Sequence, residues 1–265
     1  KGHTQLGFLS LSKISDFVDE KIKAHEKIYE SRMRERAEQM LNIKTQIGPI
    51  YVVYKKNNNI KNLLSFVISK TPDYDFESFD KSIHRLWCVN DKNFIREFTN
   101  LTKNIKHLYI ADGHHRSASS ARLAERMQEK GKTEGAHQYF MAFLIGEEQM
   151  KIYDFNRLVI NDSGKTKAKV LAELEHSFNI EPKHLETFHP QKIHEIGMYM
   201  DGEWFKLNPK IGSFDPNDSV GHLDAEILSR NILDPIFNIK DLKSDDRVDF
   251  VPGTYGLDYL EKAVD

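Results

Sequence analysis

Residues 106–130 read KHLYIADGHHRSASSARLAERMQEK, and the fold turns on how that stretch is read. Leu108, Tyr109, Ile110 and Ala111 form an apolar run of strand length. Asp112 and Gly113 break it with turn chemistry. From Ser117 the period becomes helical: Ala118, Ala121, Leu123 and Ala124 share a face, and Arg122, Glu125 and Arg126 point elsewhere. The stretch is a strand, a tight turn and a helix, with Asp112, Gly113, His114, His115, Arg116 and Ser117 at the junction. The first turn of a helix carries unpaired N–H groups and a partial positive charge, so anions bind there. Gly113 lets the backbone approach an anion closely. Arg116 can add a bidentate grip, and the two imidazoles can add donors. Asp112 either holds a metal ion or orients a histidine. The chemistry points to an anion site, with phosphate the first choice. The plainer alternative is that Asp112 caps the helix, Gly113 makes the turn, and His-His-Arg is a solvated rim.

Upstream, Leu6 to Leu9 read as the end of a strand. Ser12 or Ser15 is then expected to cap a helix with Ile14, Phe17, Val18, Lys21 and Ile22 on one face. The same helix is expected to continue as a polar one through Met40 and Leu41, taking in His25, Glu26, Arg32 and Arg36. Arg32 and Arg36 either meet an anion or pair with Glu35. Gly48-Pro49 leads into a strand, Ile50–Tyr54, and 60–68 is helical by spacing. Residues 73–79 and 82–89 read as two strands pairing around Asp80 and Lys81, with His84 and Arg85 on the second. Cys88 falls in its apolar end and is expected to be a buried structural thiol. Asp91 or Asn93 caps a helix to about Thr102.

Downstream, Gly131 and Gly135 end the central helix. Residues 138–145 are a strongly apolar strand, expected to turn at 146–149 and return through 150–155 as a hairpin. Asn156 and Arg157 follow; Arg157 is either a second anion ligand or an edge charge. Residues 161–167 (NDSGKTK) read as the linker between a core, 1–160, and a smaller C-terminal part, 161–265. Their GKT string is not a P-loop, because no glycine stands among the five residues before Gly164. Beyond lie a helix over 168–178, a loop with His184, His189 and His194, and a hairpin of 198–200 and 204–207 around Asp201-Gly202. The histidine spacings match no zinc signature. A helix over 223–233, a strand over 248–251 and a helix over 257–264 complete the chain.

Composition narrows the function classes. With 265 residues, 39% of them hydrophobic, the chain can bury a real core. A formal charge of −2 gives no basic excess to suggest nucleic acid as the main partner. No apolar run reaches the roughly 18–20 residues needed to span a bilayer, so no membrane association is expected. One cysteine excludes an internal disulfide and favours a cytoplasmic setting.

Several pieces resemble, in order, one bacterial and archaeal family, domain of unknown function 1015. Asp112-Gly113-His114-His115-Arg116-Ser117 resembles its DGHHR signature. His25-Glu26 with Arg36 resembles its "HE…DR" helix, Gly48-Pro49-Ile50 its GPI strand start, and His84-Arg85-Leu86-Trp87 its HRLW segment. Asn156-Arg157, Leu223-Asp224 and Asp246-Arg247 also fit. The family usually extends further at both ends, so the resemblance implies a fragment or truncated member. The DGHHR turn also resembles the nucleotide-phosphate loop of the ParB and sulfiredoxin superfamily, some of whose members are ADP-dependent kinases acting on free serine.

The expected fold is therefore α+β: mixed sheets with packed helices, a ParB/sulfiredoxin-like core around the strand–DGHHR–helix unit, and a smaller C-terminal α/β part. The first function expected is phosphate or nucleotide binding, with phosphoryl transfer to a small hydroxyl-bearing metabolite. In it Asp112, His114, His115 and Glu26 are the catalytic candidates, with Asp112 also a candidate magnesium ligand. Gly113, Arg116, Ser117, His25, Arg36, His84, Arg85, Asn156 and Arg157 are candidates to bind the phosphates of ADP, ATP or CTP. The alternative is a non-catalytic, nucleotide-responsive regulatory module. A third is a metal-dependent hydrolase built on His25, His84, His114, His115 and Asp112.

Overall fold

An alternating burial pattern along Ile50–Tyr54 marks the centre of the first sheet: Ile50, Val52 and Tyr54 are buried and the residues between them half-buried. A strand flanked on both sides must find two partners, and this one does. The computed structural model describes residues 3–26, 28–184, 186–242 and 244–265. They pack as two compact units, Lys1–Lys151 and Ile152–Asp265, each with its own core. Helices and mixed sheets together make an α+β protein.

The first unit runs β1 (Gly7–Lys13), α1 (Ile14–Val18), β2 (Ile22–Lys23), α2 (Glu30–Ile43), β3 (Ile50–Tyr54) and α3 (Asn58–Ile68). It continues with β4 (Tyr74–Glu77), β5 (Ile83–Leu86), α4 (Lys92–Lys103), β6 (Leu108–Asp112), α5 (His114–Glu129) and β7 (Tyr139–Gly146). Five strands form one sheet in the order β1-β7-β3-β6-β2. β3 is parallel to β7 and antiparallel to β6, and β2 is parallel to β6. Ile22, Ile50, Val52, Ile110, Phe140 and Ala142 fill its core at 1% exposure or less. Asn57 and Asp91 cap α3 and α4 through their side chains. α5 closes on Gly131, whose N–H bonds Gln128 O while Lys132 N–H bonds Met127 O, the paired bonds of a glycine-terminated helix.

Local chemistry overrode several sequence expectations here. The long helix through 14–41 is broken: α1 ends at Val18, Glu20 takes a left-handed φ of 57°, and Ile22 enters the sheet beside Leu108. Ile22 gains more by burial in the sheet than on a solvated helix. Lys13, not a serine, precedes α1, and no side chain caps it. Residues 150–155 do not return as a hairpin, because β1 and β3 already occupy both edges of β7. Instead Gln149 ties back to Leu6 N (2.7 Å) and Leu6 O (2.9 Å). β4 and β5 do pair as a hairpin, but the strand stops at Leu86, and Cys88 beyond it is exposed, not buried.

The second unit runs β8 (Phe155–Val159), α6 (Lys167–Leu174), β9 (Phe178–His184), β10 (Ile196–Met200), β11 (Glu203–Pro209), α7 (Asp224–Leu228), α8 (Asp234–Phe237), β12 (Val248–Pro252) and α9 (Leu257–Val264). β10, β11 and β9 form one antiparallel sheet, and β8 pairs with β12. The Asp201-Gly202 turn has both residues at positive φ, as a two-residue hairpin requires. Residues 178–184, expected as helix end and loop, are β9. His194, expected to be solvated, is half-buried with Nδ1 on Asp224 Oδ1 at 2.7 Å. Between α7 and α8, Ser229–Leu233 forms a wider π-helical turn. Among the described residues, no helix is long and apolar enough to cross a membrane.

Candidate functional site

The topology of the first sheet gathers the chemistry. β2 and β6 run parallel with Ile22 beside Leu108 and Lys23 beside Tyr109, so both leave the sheet at the same end. His25 and Glu26 therefore emerge next to Gly113 and His114. β3 runs the other way and begins at that end, with Tyr51 beside Asp112. Three distant segments, 24–26, 48–49 and 112–117, meet where parallel strands end, the usual ligand edge of such sheets.

Gly113 makes the handover from β6 to α5 at φ 99°, ψ 26°. The Arg116 guanidinium folds back over it: a Cβ on Gly113 would sit 3.0 Å from both Nε and Nη2. One placed on Gly48 would come within 3.6 Å of Nη1. Arg116 Nη2 donates to Asp112 Oδ2 at 2.6 Å. Asp112 is thus committed to the arginine, with 76% of its side chain still exposed. Arg116 Nε and His115 Nδ1 are shut off from water with no hydrogen-bond partner. The His115 ring stacks on Tyr29 at 5.9 Å, and Tyr29 carries Arg32 5.6 Å from its own ring centre.

His114 is only 3% exposed. Its Nε2 meets His25 Nδ1 at 3.3 Å, the rings edge to face, and its Nδ1 lies 3.3 Å from Glu26 Oε2. Burial pushes the His114 imidazole below its ordinary range, with Glu26 pulling part of the way back. A buried ring with Nε2 bonded to His25 and Nδ1 turned to Glu26 is poorly placed to reach a phosphate. Ser117 is likewise spent: its N–H bonds Gly113 O at 2.9 Å and its hydroxyl bonds His114 O at 2.9 Å. The first-turn amides of His114, His115 and Arg116 have no helical carbonyl to bond.

The remaining expected residues fall on other elements of the fold. Arg36 is exposed on α2. His84 and Arg85 lie on the β4–β5 hairpin and bond within it, His84 to Ser78 Oγ at 3.1 Å and Arg85 to Asp75 at 3.0 Å. Asn156 and Arg157 belong to the second unit. Arg157 lies over the rings of Phe155 and Phe250 and donates to Phe155 O; burial lowers its pKa. Among the described residues, no three His, Cys, Asp or Glu side chains gather as a metal-holding set. The proposed hydrolase ligands divide between the sheet end and the hairpin. Tyr29 carries no sequence signal for this place, because it stands as one more position in a charged stretch. Ser119 and Ser120 carry none either: they are buried, and return their hydroxyls to His115 O and Arg116 O.

A family model described as protein of unknown function (DUF1015) matches residues 1–226. The chain belongs to this family. The DUF1015 match takes in all three segments that meet at the sheet end. Neither the curated proteins nor the solved structures contain a match to the chain.

Proposed function

We propose that this DUF1015 chain binds a nucleotide or other phosphate-bearing small molecule at the 113–116 turn, and transfers a phosphoryl group to a small hydroxyl compound. One observation carries the reading: Arg116 Nε and His115 Nδ1 are buried without partners at the head of a 16-residue helix. A buried polar group left unsatisfied costs about 1–3 kcal/mol. An anion on the first-turn amides would offset that cost and would also meet the positive end of the helix. Asp112 serves to hold Arg116 over the turn. Phosphoryl transfer suits this kit, because its catalysis is mostly positioning and charge stabilisation. The likeness of the DGHHR turn to the ParB and sulfiredoxin loop favours ADP, ATP or CTP, each carrying its magnesium, over bare phosphate.

Calorimetric titration of the full chain with the three magnesium nucleotides tests this. We expect at least one to bind, and Arg116→Ala to weaken it by roughly tenfold or more, the worth of one charge-assisted hydrogen bond. No binding by any of the three, or an Arg116→Ala variant that binds as tightly as wild type, would refute the proposal. Binding with no transfer to any acceptor would instead favour a nucleotide-responsive regulatory module.

A further inference from the structure

We infer that His25 is the general base of this site, taking the acceptor's proton at Nε2, while Glu26 and His114 are positioning residues that set its tautomer. The inference rests on the phosphotransfer reading above and adds to it which group moves the proton. It follows from counting hydrogens. The contact between His114 Nε2 and His25 Nδ1 has room for one proton, and His114 Nδ1 faces the Glu26 carboxylate at 3.3 Å. The carboxylate facing Nδ1 acts on His114 by charge and favours the proton on that nitrogen. His114, buried and neutral, then has a lone pair on Nε2. His25 must supply the next hydrogen from its own Nδ1. That leaves the lone pair of His25 on Nε2, the nitrogen not turned toward His114. The reverse order would set a bare His114 Nδ1 lone pair against a carboxylate.

The neighbouring groups are poor rivals for the role. Asp112 is held by Arg116 at 2.6 Å. His114 is buried, with Nε2 bonded to His25 and Nδ1 turned to Glu26. His115 is stacked on Tyr29, and its Nδ1 is shut off from water. His25 is exposed and so accessible to a substrate. It also emerges at the same sheet end as the amides proposed to hold the phosphates.

The step balances without a further reagent. The acceptor hydroxyl proton passes to His25 Nε2 as the hydroxyl oxygen forms its bond to the terminal phosphorus. The bond from that phosphorus to the bridging oxygen breaks, and its electron pair leaves with the shortened nucleotide. The positive charge formed on His25 is met by His114 and, through it, by Glu26. The same logic holds a catalytic imidazole by a carboxylate in hydrolytic triads, here with a second imidazole interposed.

Two measurements on the full chain test the assignment. Long-range 1H–15N spectra at pH 8, without ligand, read the tautomers directly. We expect the proton on Nδ1 in both His25 and His114, and a mixed His25 tautomer in Glu26→Ala. A proton on His25 Nε2 in the wild type overturns the inference. The second measurement is turnover of magnesium ATP, with water or a small polyol as acceptor. We expect His25→Ala to lower kcat by roughly 100-fold or more, the usual worth of a general base, with nucleotide Kd unchanged. Added imidazole should restore part of that loss, which it would not do for a residue needed only for folding. A His25→Ala kcat within threefold of wild type overturns the inference. Failure of the phosphotransfer reading shows itself differently, as absent nucleotide binding in the wild type whatever the tautomers.

Discussion

Replacing Gly113 by alanine separates the backbone role of the turn from its role in holding Arg116. At φ 99° an L-residue meets its own carbonyl, a strain of about 1–2 kcal/mol. The new Cβ would also stand 3.0 Å from Arg116 Nε and Nη2, so the guanidinium must give way by a few tenths of an ångström and strain its bond to Asp112. Gly131, at the other end of the same helix, is the matched control: φ is +75° and nothing lies within 4 Å of its Cβ position. Both alanine variants should therefore lose about 1–2 kcal/mol, and only Gly113→Ala should also lose phosphate or nucleotide affinity. For a domain of this size the strain lowers the thermal midpoint by roughly 2–8 °C. The assay is thermal unfolding followed at Trp87, in a Trp204→Phe background so that the signal reports the first unit alone, paired with calorimetric nucleotide titration. An unchanged midpoint in Gly113→Ala would refute the backbone argument. Equal loss of affinity in the two variants would refute the placement of Arg116.

Two further predictions concern residues beside the sheet end and beyond the hairpin. The folded state lowers the His114 pKa from its ordinary 6.5, so below about that pH the unfolded chain binds more protons than the native one. Stability should then fall as pH drops from 6.5 toward the lowered native value. Denaturant midpoints at pH 7.5, 6.5 and 5.5 should decline more steeply in wild type than in His114→Gln, and parallel slopes would contradict the burial argument. Cys88, the single cysteine and exposed, should react with a thiol reagent in the native state at one equivalent per chain; protection until unfolding would contradict its placement.

The central strand, turn and helix were legible because the signals there are local. Four apolar residues, an Asp-Gly break and a helical period need no distant partner to be read. The cap Asp91, the Asp201-Gly202 hairpin and Gly131 belong to the same class. β2 was not legible, since two residues have no period and Ile22 fits a helical stripe by chance. Only its partner Leu108, 86 positions along, makes it a strand. The site shows the same division. Gly113 and Arg116 could be read from the turn alone. The pairing of His25 and Glu26 with His114 follows from the parallel alignment of β2 and β6, which no spacing in the sequence encodes. The burial of Ser117, Ser119 and Ser120 was hidden because each hydroxyl satisfies itself on its own helix, a way of burying polarity that composition does not record.

β2 is the shortest strand of its sheet, an outermost ribbon of two register pairs anchored by one buried side chain, Ile22, and by the bond from Leu108 N–H to Lys21 O at 2.8 Å. Such margins open at far smaller free energy than the sheet's interior. His25 and Glu26 hang from that margin, whereas His114 and Arg116 are rooted in the main helix. Peeling two residues away would carry off His25, the proposed proton acceptor, while leaving the proposed phosphate site on α5 whole. On the proposed reading, anything that loosens this ribbon would lower turnover without touching affinity, and anything that clips it down would keep the proton acceptor in place.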